Sequence, residues 1–226
     1  DYEELPAVTS TAEAAKSGAP RVWLDAPDNI GFEELIGDKA ATDAAFAKAA
    51  HVVKGSFVIN RVTAATMEPR GAVGDYNATD GRYTVYTPIQ RPHPTRTDLA
   101  KVMKVPESKV RIVTGDTGGS FGMKSPIFNE TPLVLLASKL TGRPVKWVED
   151  RSENLMSTSF ARDYIMRGKI AATKDGRILA LRTDVLADHG AFNATAQPTK
   201  NPAGFFSIFT GSYDLQAAYC SVTGVY

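Results

Sequence analysis

Residues Thr114–Ser125 read TGDTGGSFGMKS, with four glycines, a serine between Gly118 and Gly122, and a Lys-Ser pair. Three kinds of chemistry have a claim on such a stretch. A phosphate loop of the nucleoside triphosphatase type needs a glycine directly before its Lys-Ser pair, where backbone must approach phosphate. Counted from Gly118, that place holds Met123 ahead of Lys124 and Ser125, so the frame fails. A hydrolase nucleophile elbow needs G-x-S-x-G, which Gly118, Ser120 and Gly122 supply, and Asp184 or Asp188 and then His189 follow in triad order. An elbow turns straight out of its strand, however, and here Gly115, Asp116 and Thr117 intervene. The third claimant is a loop whose backbone amides bind an anionic cofactor at the start of a following helix, with Phe121 as one wall of a reaction pocket. Successive glycines allow the close approach and unusual dihedrals this requires. Spacing alone does not choose among the three.

Other reactive side chains have plainer readings. Glu68 in MEPR has the type of a general base, but a carboxylate at a strand end is expected to pair with a nearby cation such as Arg70. His51, His93 and His189 stand singly, without the pairing that a metal site requires. Trp23 and Trp147 are expected in core or interface positions. Gln90, taken by itself, reads as a residue closing a strand and bonding backbone.

The elements that must position these residues can be sketched from periodicity and turn chemistry. Residues 1–37 mix Pro, Gly and acidic residues without sustained periodicity and read as an irregular arm or linker. From Asp38 an alanine-rich helix is expected, with Ala41, Ala45, Phe46 and Ala49 as its apolar stripe. Val52 to Thr87 reads as a strand and hairpin region around the NATDGR turn. A helix over Arg96 to Met103, a short buried strand in KVRIVTG, a helix in PIFNETPLVLLASKLTG closed by Gly142, and a strand in RPVKWVED follow. DRSENLMS reads as a charged helical turn, and Lys174, Asp175 and Gly176 mark a hairpin. Strands and helices interleave without repeats, which gives an α+β class of mixed sheets with packed helices. Residues 38–226 form the main domain in this reading.

Composition bounds the function. The 226 residues carry 26 Lys+Arg against 25 Asp+Glu, so no global field recruits nucleic acid or an anionic membrane. No apolar run spans a bilayer, no signal-peptide pattern opens the chain, and a single cysteine, Cys220, fits a reducing compartment; a cytoplasmic location is expected. The chain starts at Asp1, and AAYCSVTGVY reads as a strand cut off before its turn, which suggests an excised fragment.

Five motifs occur in one order: MEPRGAV (Met67–Val73), YTPIQ (Tyr86–Gln90), GGSFGMK (Gly118–Lys124), TGRPVKWVEDRSENLMSTSFARDY (Thr141–Tyr164) and DHGAF (Asp188–Phe192). Together they resemble the molybdenum-binding large subunit of the xanthine oxidase family of molybdenum hydroxylases, with Trp147–Tyr164 most similar to the aerobic carbon monoxide dehydrogenase branch. DYEELPAV at the start is similar to the end of the preceding domain of such subunits. The resemblance implies that this chain is most of the first of two molybdopterin cofactor-binding domains. It implies that Gln90 hydrogen-bonds an oxygen ligand of molybdenum, and that Gly118, Gly119, Ser120, Phe121 and Gly122 pass beside the metal with Phe121 near substrate. Ser120 stands where relatives commonly have glycine, which reads as a small residue rather than a nucleophile. Lys124 either orients the loop or is solvated. Ser125 replaces an acidic residue that purine-oxidising members carry, which argues against purine hydroxylation.

The same resemblance implies a molybdenum–molybdopterin cofactor in its cytosine dinucleotide form, with FAD on a medium partner subunit and 2Fe-2S clusters on a small one. It leaves carbon monoxide, an aldehyde, an N-heterocycle or another small molecule as the substrate. The family's glutamate base, its remaining cofactor loops and its active-site loop are expected past Tyr226, so the chain alone is expected to be inactive. Cys220 in AAYCSV lacks the arginine of the copper-binding Ala-Tyr-Arg-Cys loop and is expected to be a strand residue. A serine hydrolase using Ser120, His189 and Asp184 is the alternative enzyme, and a non-catalytic interaction domain is the alternative of another class.

Overall fold

The computed structural model describes residues 3–191 and 208–226. Phe192, which closes DHGAF, and the first two residues of DYEELPAV lie outside them. The chain divides into two compact units, one built from residues 1–62 and 161–226 and the other from residues 63–160. The first segment carries α1 (Thr11–Ala14), β1 (Ile30–Gly37), α2 (Lys39–Ala47) and β2 (His51–Ile59). A short β3 (Val62–Thr63) leads into the second unit, which holds β4 (Gly71–Asn77), β5 (Arg82–Tyr86), α3 (Pro92–Met103), β6 (Val110–Val113), α4 (Glu130–Thr141), β7 (Val145–Val148) and α5 (Arg151–Ser157). After β8 (Phe160–Ala161) the chain completes the first unit with β9 (Tyr164–Ala172), β10 (Ile178–Asp188) and β11 (Ala217–Val225).

The first unit is a five-stranded sheet in the order β1-β11-β10-β9-β2, antiparallel except where β10 runs parallel to β11. The segment read as an irregular arm contributes its edge strand, β1. Glu34 sits on the half-buried face with Ile30, Phe32 and Ile36, and a carboxylate there hides the period-two pattern. Asp38 caps α2 by accepting from Ala41 N at 2.9 Å. The helix then lays Ala45, Phe46 and Ala49 on Ala171, Ala180 and Ala217, the stripe that periodicity predicts save for Ala41. Gly176, with φ +89°, makes the β9–β10 turn.

The second unit is a four-stranded sheet in the order β6-β5-β4-β7, with β5 parallel to β6 and the other pairs antiparallel. Leu99 and Ala100 of α3 and Val134 and Leu135 of α4 bury themselves with Val85 and Tyr83 of β5. Gly74 lets α4 approach: a Cβ there would lie 2.6 Å from the Val134 carbonyl carbon and oxygen. Helix α3 begins at Pro92, before the expected Arg96, because proline lacks the N–H that a first turn leaves unpaired anyway. Helix α4 ends at Gly142 in the left-handed region, as its sequence indicates. Asp150 and Glu153 form a reciprocal capping box that turns DRSENLMS into α5.

Candidate functional site

The site lies within the second unit and is assembled by the parallel pairing of β5 with β6. Their registers end together, Tyr86 opposite Val113, so the two following segments leave the sheet side by side. Thr87 N donates to Val113 O at 3.0 Å, and further along Gln90 N donates to Lys124 O at 3.1 Å. Gln90 and the glycine loop therefore meet although about thirty residues separate them. The Gln90 side chain completes the link: its Oε1 accepts from Ser120 Oγ at 2.6 Å and from Gly122 N at 3.0 Å.

A second staple comes from the MEPR segment. Glu68 N donates to Gly118 O at 3.1 Å, and Gly118 N donates back to Glu68 Oε2 at 2.9 Å. The same oxygen takes Lys124 Nζ at 2.7 Å, and the lysine side chain is only 1% exposed. Only glycine fits at position 118, where a Cβ would fall 2.5 Å from the Glu68 Cβ. Burial of Glu68 works against its ionisation, but the hydrogen bonds from Lys124 and from Gly118 N outweigh it and hold the carboxyl below its ordinary value. Glu68 therefore does not pair with Arg70, the partner its sequence position suggests. Arg70 is buried and turns the other way, donating to Glu149 from its backbone N at 2.6 Å and from Nε at 2.9 Å. Its guanidinium also stacks 3.7 Å from the centre of the Phe128 ring.

Helix α5 braces both staples. Arg151 donates to Thr66 O at 2.6 Å, and Asn154 donates to Glu149 Oε1 and to Met123 Sδ. Glu149, Arg151 and Asn154 were not singled out from the sequence as site residues. Their partners sit up to 85 residues away, and only the capping box of α5 marks the segment locally.

The loop uses most of its own amides. Gly118 N goes to Glu68, Gly122 N to Gln90, Met123 N to Ser120 O, Lys124 N to Ser120 Oγ and Ser125 N to Gly122 O. Gly119, Ser120 and Phe121 are left with three consecutive N–H groups that meet no acceptor among the described residues. These amides do not belong to a helix start, contrary to the sequence expectation, since α4 begins at Glu130. Gly119, Phe121 and Gly122 all have positive φ, the backbone region that glycine adopts without strain. Phe121 is 83% exposed, and its ring edge lies 3.2 Å from where a Gly119 Cβ would be. Gln90 is exposed beside it.

The hydrolase reading fails on this geometry. The Ser120 hydroxyl accepts from Lys124 N and donates its proton to the Gln90 amide oxygen, which is no general base. Asp184 accepts from Ser221 Oγ at 2.7 Å, and His189 is buried edge-on against Phe32 and Tyr226. Lys124 is equally unavailable to a phosphate loop, because its ammonium is spent on Glu68. Cys220 is a fully buried residue of β11, as expected, and burial with the nearby Asp184 pushes its thiol up to about 11.

Residues 23–226 match the family described as molybdopterin cofactor-binding domain. The chain belongs to this family. Among similar molybdopterin-domain proteins, the carbon monoxide dehydrogenase large chain of Hydrogenophaga pseudoflava is 46% identical over 238 aligned residues, covering 100% of this chain and 30% of the relative. The nicotine 6-hydroxylase large subunit of Paenarthrobacter nicotinovorans is 36% identical and covers 96% of this chain and 27% of its own length. In three dimensions the chain matches reconstituted CO dehydrogenase from Oligotropha carboxidovorans with a TM-score of 0.91 and 44% identity, over 100% of this chain and 30% of that one. The molybdopterin domain described here thus spans about 30% of the length of these carbon monoxide dehydrogenase relatives. Its mixed α and β architecture is theirs, and no helix among the described residues is long and apolar enough to cross a membrane.

Proposed function

We propose that this chain is part of the catalytic large subunit of a molybdenum-dependent hydroxylase or dehydrogenase, of carbon monoxide dehydrogenase type, and that Gln90 and the Gly118–Gly122 loop face its molybdopterin cofactor. The carrying observation is the pair of hydrogen bonds that fasten Gln90 Oε1 to Ser120 and Gly122. With the oxygen engaged there, the Gln90 NH2 is turned outward as a donor.

The residues present fit such a group. The N–H groups of Gly119, Ser120 and Phe121, without an acceptor among the described residues, lie in the loop that holds the Gln90 amide, donors suited to anionic oxygens. When bound, the molybdenum–pterin group supplies two-electron oxidation of a small substrate with oxygen drawn from water. Gln90 donates to an oxygen of the group and, as an amide, does so without titrating. Gly119, Ser120 and Phe121 offer their N–H groups to it. The exposed Phe121 ring walls the substrate side and sheds water there. Lys124, paired with Glu68, anchors the loop from behind.

The cytosine dinucleotide form of the cofactor, a medium subunit carrying FAD, a small subunit carrying 2Fe-2S clusters, and a cytoplasmic location belong to the same proposal. So does a substrate drawn from carbon monoxide, aldehydes or N-heterocycles. Relatives that include a carbon monoxide dehydrogenase and a nicotine hydroxylase support that range.

The test is molybdenum content by mass spectrometry, with nucleotide release, on the complete parent complex from a host that makes pterin cofactors. Near-stoichiometric metal with released cytidine monophosphate, reduced in Gln90→Ala, is expected. Metal-free complex from a host that loads a control enzyme overturns the reading.

A further inference from the structure

Ser120 holds two hydrogen bonds whose directions can be assigned without ambiguity. The Lys124 N–H can only donate, so Ser120 Oγ accepts it at 3.1 Å; whether the serine donates at its 2.6 Å contact with Gln90 is decided by which end of the amide lies there. The Gly122 N–H also can only donate, and it meets the same Gln90 atom at 3.0 Å. That donor requires the atom to be the amide oxygen, and Ser120 therefore donates its proton to the same oxygen. If the amide were flipped, its NH2 would face the Gly122 N–H and both would be unsatisfied. Gly122 contributes by backbone alone, so among the described residues Ser120 is the only side chain that holds the Gln90 amide.

We infer that Ser120 is a positioning residue that fixes the amide of Gln90 in its donor-outward orientation. This rests on the proposed role of Gln90 toward the cofactor and extends it: the hydroxyl at position 120, together with the Gly122 N–H, holds which end of the amide the cofactor meets. It acts through Gln90 and not on substrate. A methyl at position 120 leaves Gly122 as a single restraint, and the amide then samples the flipped state, presenting an acceptor where a donor is needed.

The experiment uses the complete parent complex from a cofactor-competent host and compares Ser120→Ala, Ser120→Thr, Gln90→Ala and the Ser120→Ala/Gln90→Ala double variant. Molybdenum content, the electron paramagnetic resonance spectrum of the partly reduced metal, and kcat are read in each. Ser120→Ala is expected to alter the resonance spectrum and to lower kcat about tenfold, the scale of one hydrogen bond. Ser120→Thr, which keeps the hydroxyl, is expected to restore both. Added to Gln90→Ala, the serine change is expected to cost much less than it does alone, because its bond to Gln90 is already gone and only the acceptor for Lys124 N remains to be lost. A loaded Ser120→Ala complex with the parent spectrum and rate overturns this inference alone, as does a full additive effect in the double variant. Loss of metal in Ser120→Ala that Ser120→Thr fails to repair also overturns it, since the defect is then one of folding. Metal-free parent complex overturns the cofactor reading itself.

Discussion

Glu68 satisfies two donors with one oxygen, and that makes the loop sensitive to acid. Its carboxyl is held below the ordinary 4.5 in the folded chain, so it binds a proton less readily there than when unfolded. Its contribution to stability is therefore complete above about 4.5 and drains away as pH falls through the lower folded value. Protonation also strands the buried Lys124 ammonium, whose carboxylate partner is Glu68. Thermal melting of the chain and of Glu68→Gln from about pH 7 to about pH 3 checks this, with the parent's advantage expected to vanish at the acid end. A difference in melting temperature that is constant across that range would remove Glu68 from the account. Nothing near Glu68 in the sequence announces this role. Its partners lie 50 and 56 residues ahead, and the nearer Arg70 is taken by Glu149, a contact only the fold creates.

Among the elements, α4 and β4 are held at a distance that only glycine allows. Gly74→Ala pushes a methyl into the Val134 backbone and is expected to cost about 1–3 kcal/mol, the usual range for overpacking, in chemical denaturation. Gly168→Ala in β9, where an added Cβ meets nothing within 4 Å, is the control and is expected to be near neutral. Equal effects at both sites would mean strand propensity rather than contact sets the cost. Elements with local punctuation were readable in advance: Asp38 opens α2, Gly142 closes α4, and Asp175-Gly176 turns β9 into β10. Elements whose evidence is distant were not. β1 owes its place to pairing with β11. The loop glycines were legible as a site, whereas the direction of each amide was not, since that depends on which atoms a neighbouring segment brings.

At the scale of the molecule, among the described residues β2 stands at an edge of the five-stranded sheet with both of its faces open. Val53, Phe57 and Val58 are each more than 60% exposed, and an unpaired apolar edge is a template for further pairing. The chain alone is expected to self-associate as concentration rises, and Val53→Lys with Phe57→Lys to restore monomers, in light scattering coupled to size exclusion. A parent chain that stays monomeric throughout would show that the edge is not sticky. The parallel register of β5 and β6 has a different reach. Because Tyr86 and Val113 end level, the distance between Gln90 and Ser120 is set by where two strands stop and not by the length of the path between them. The turn from Lys104 to Lys109 can gain or lose residues without parting the clamp, so drift in chain length is permitted there and forbidden between Val113 and Gly122.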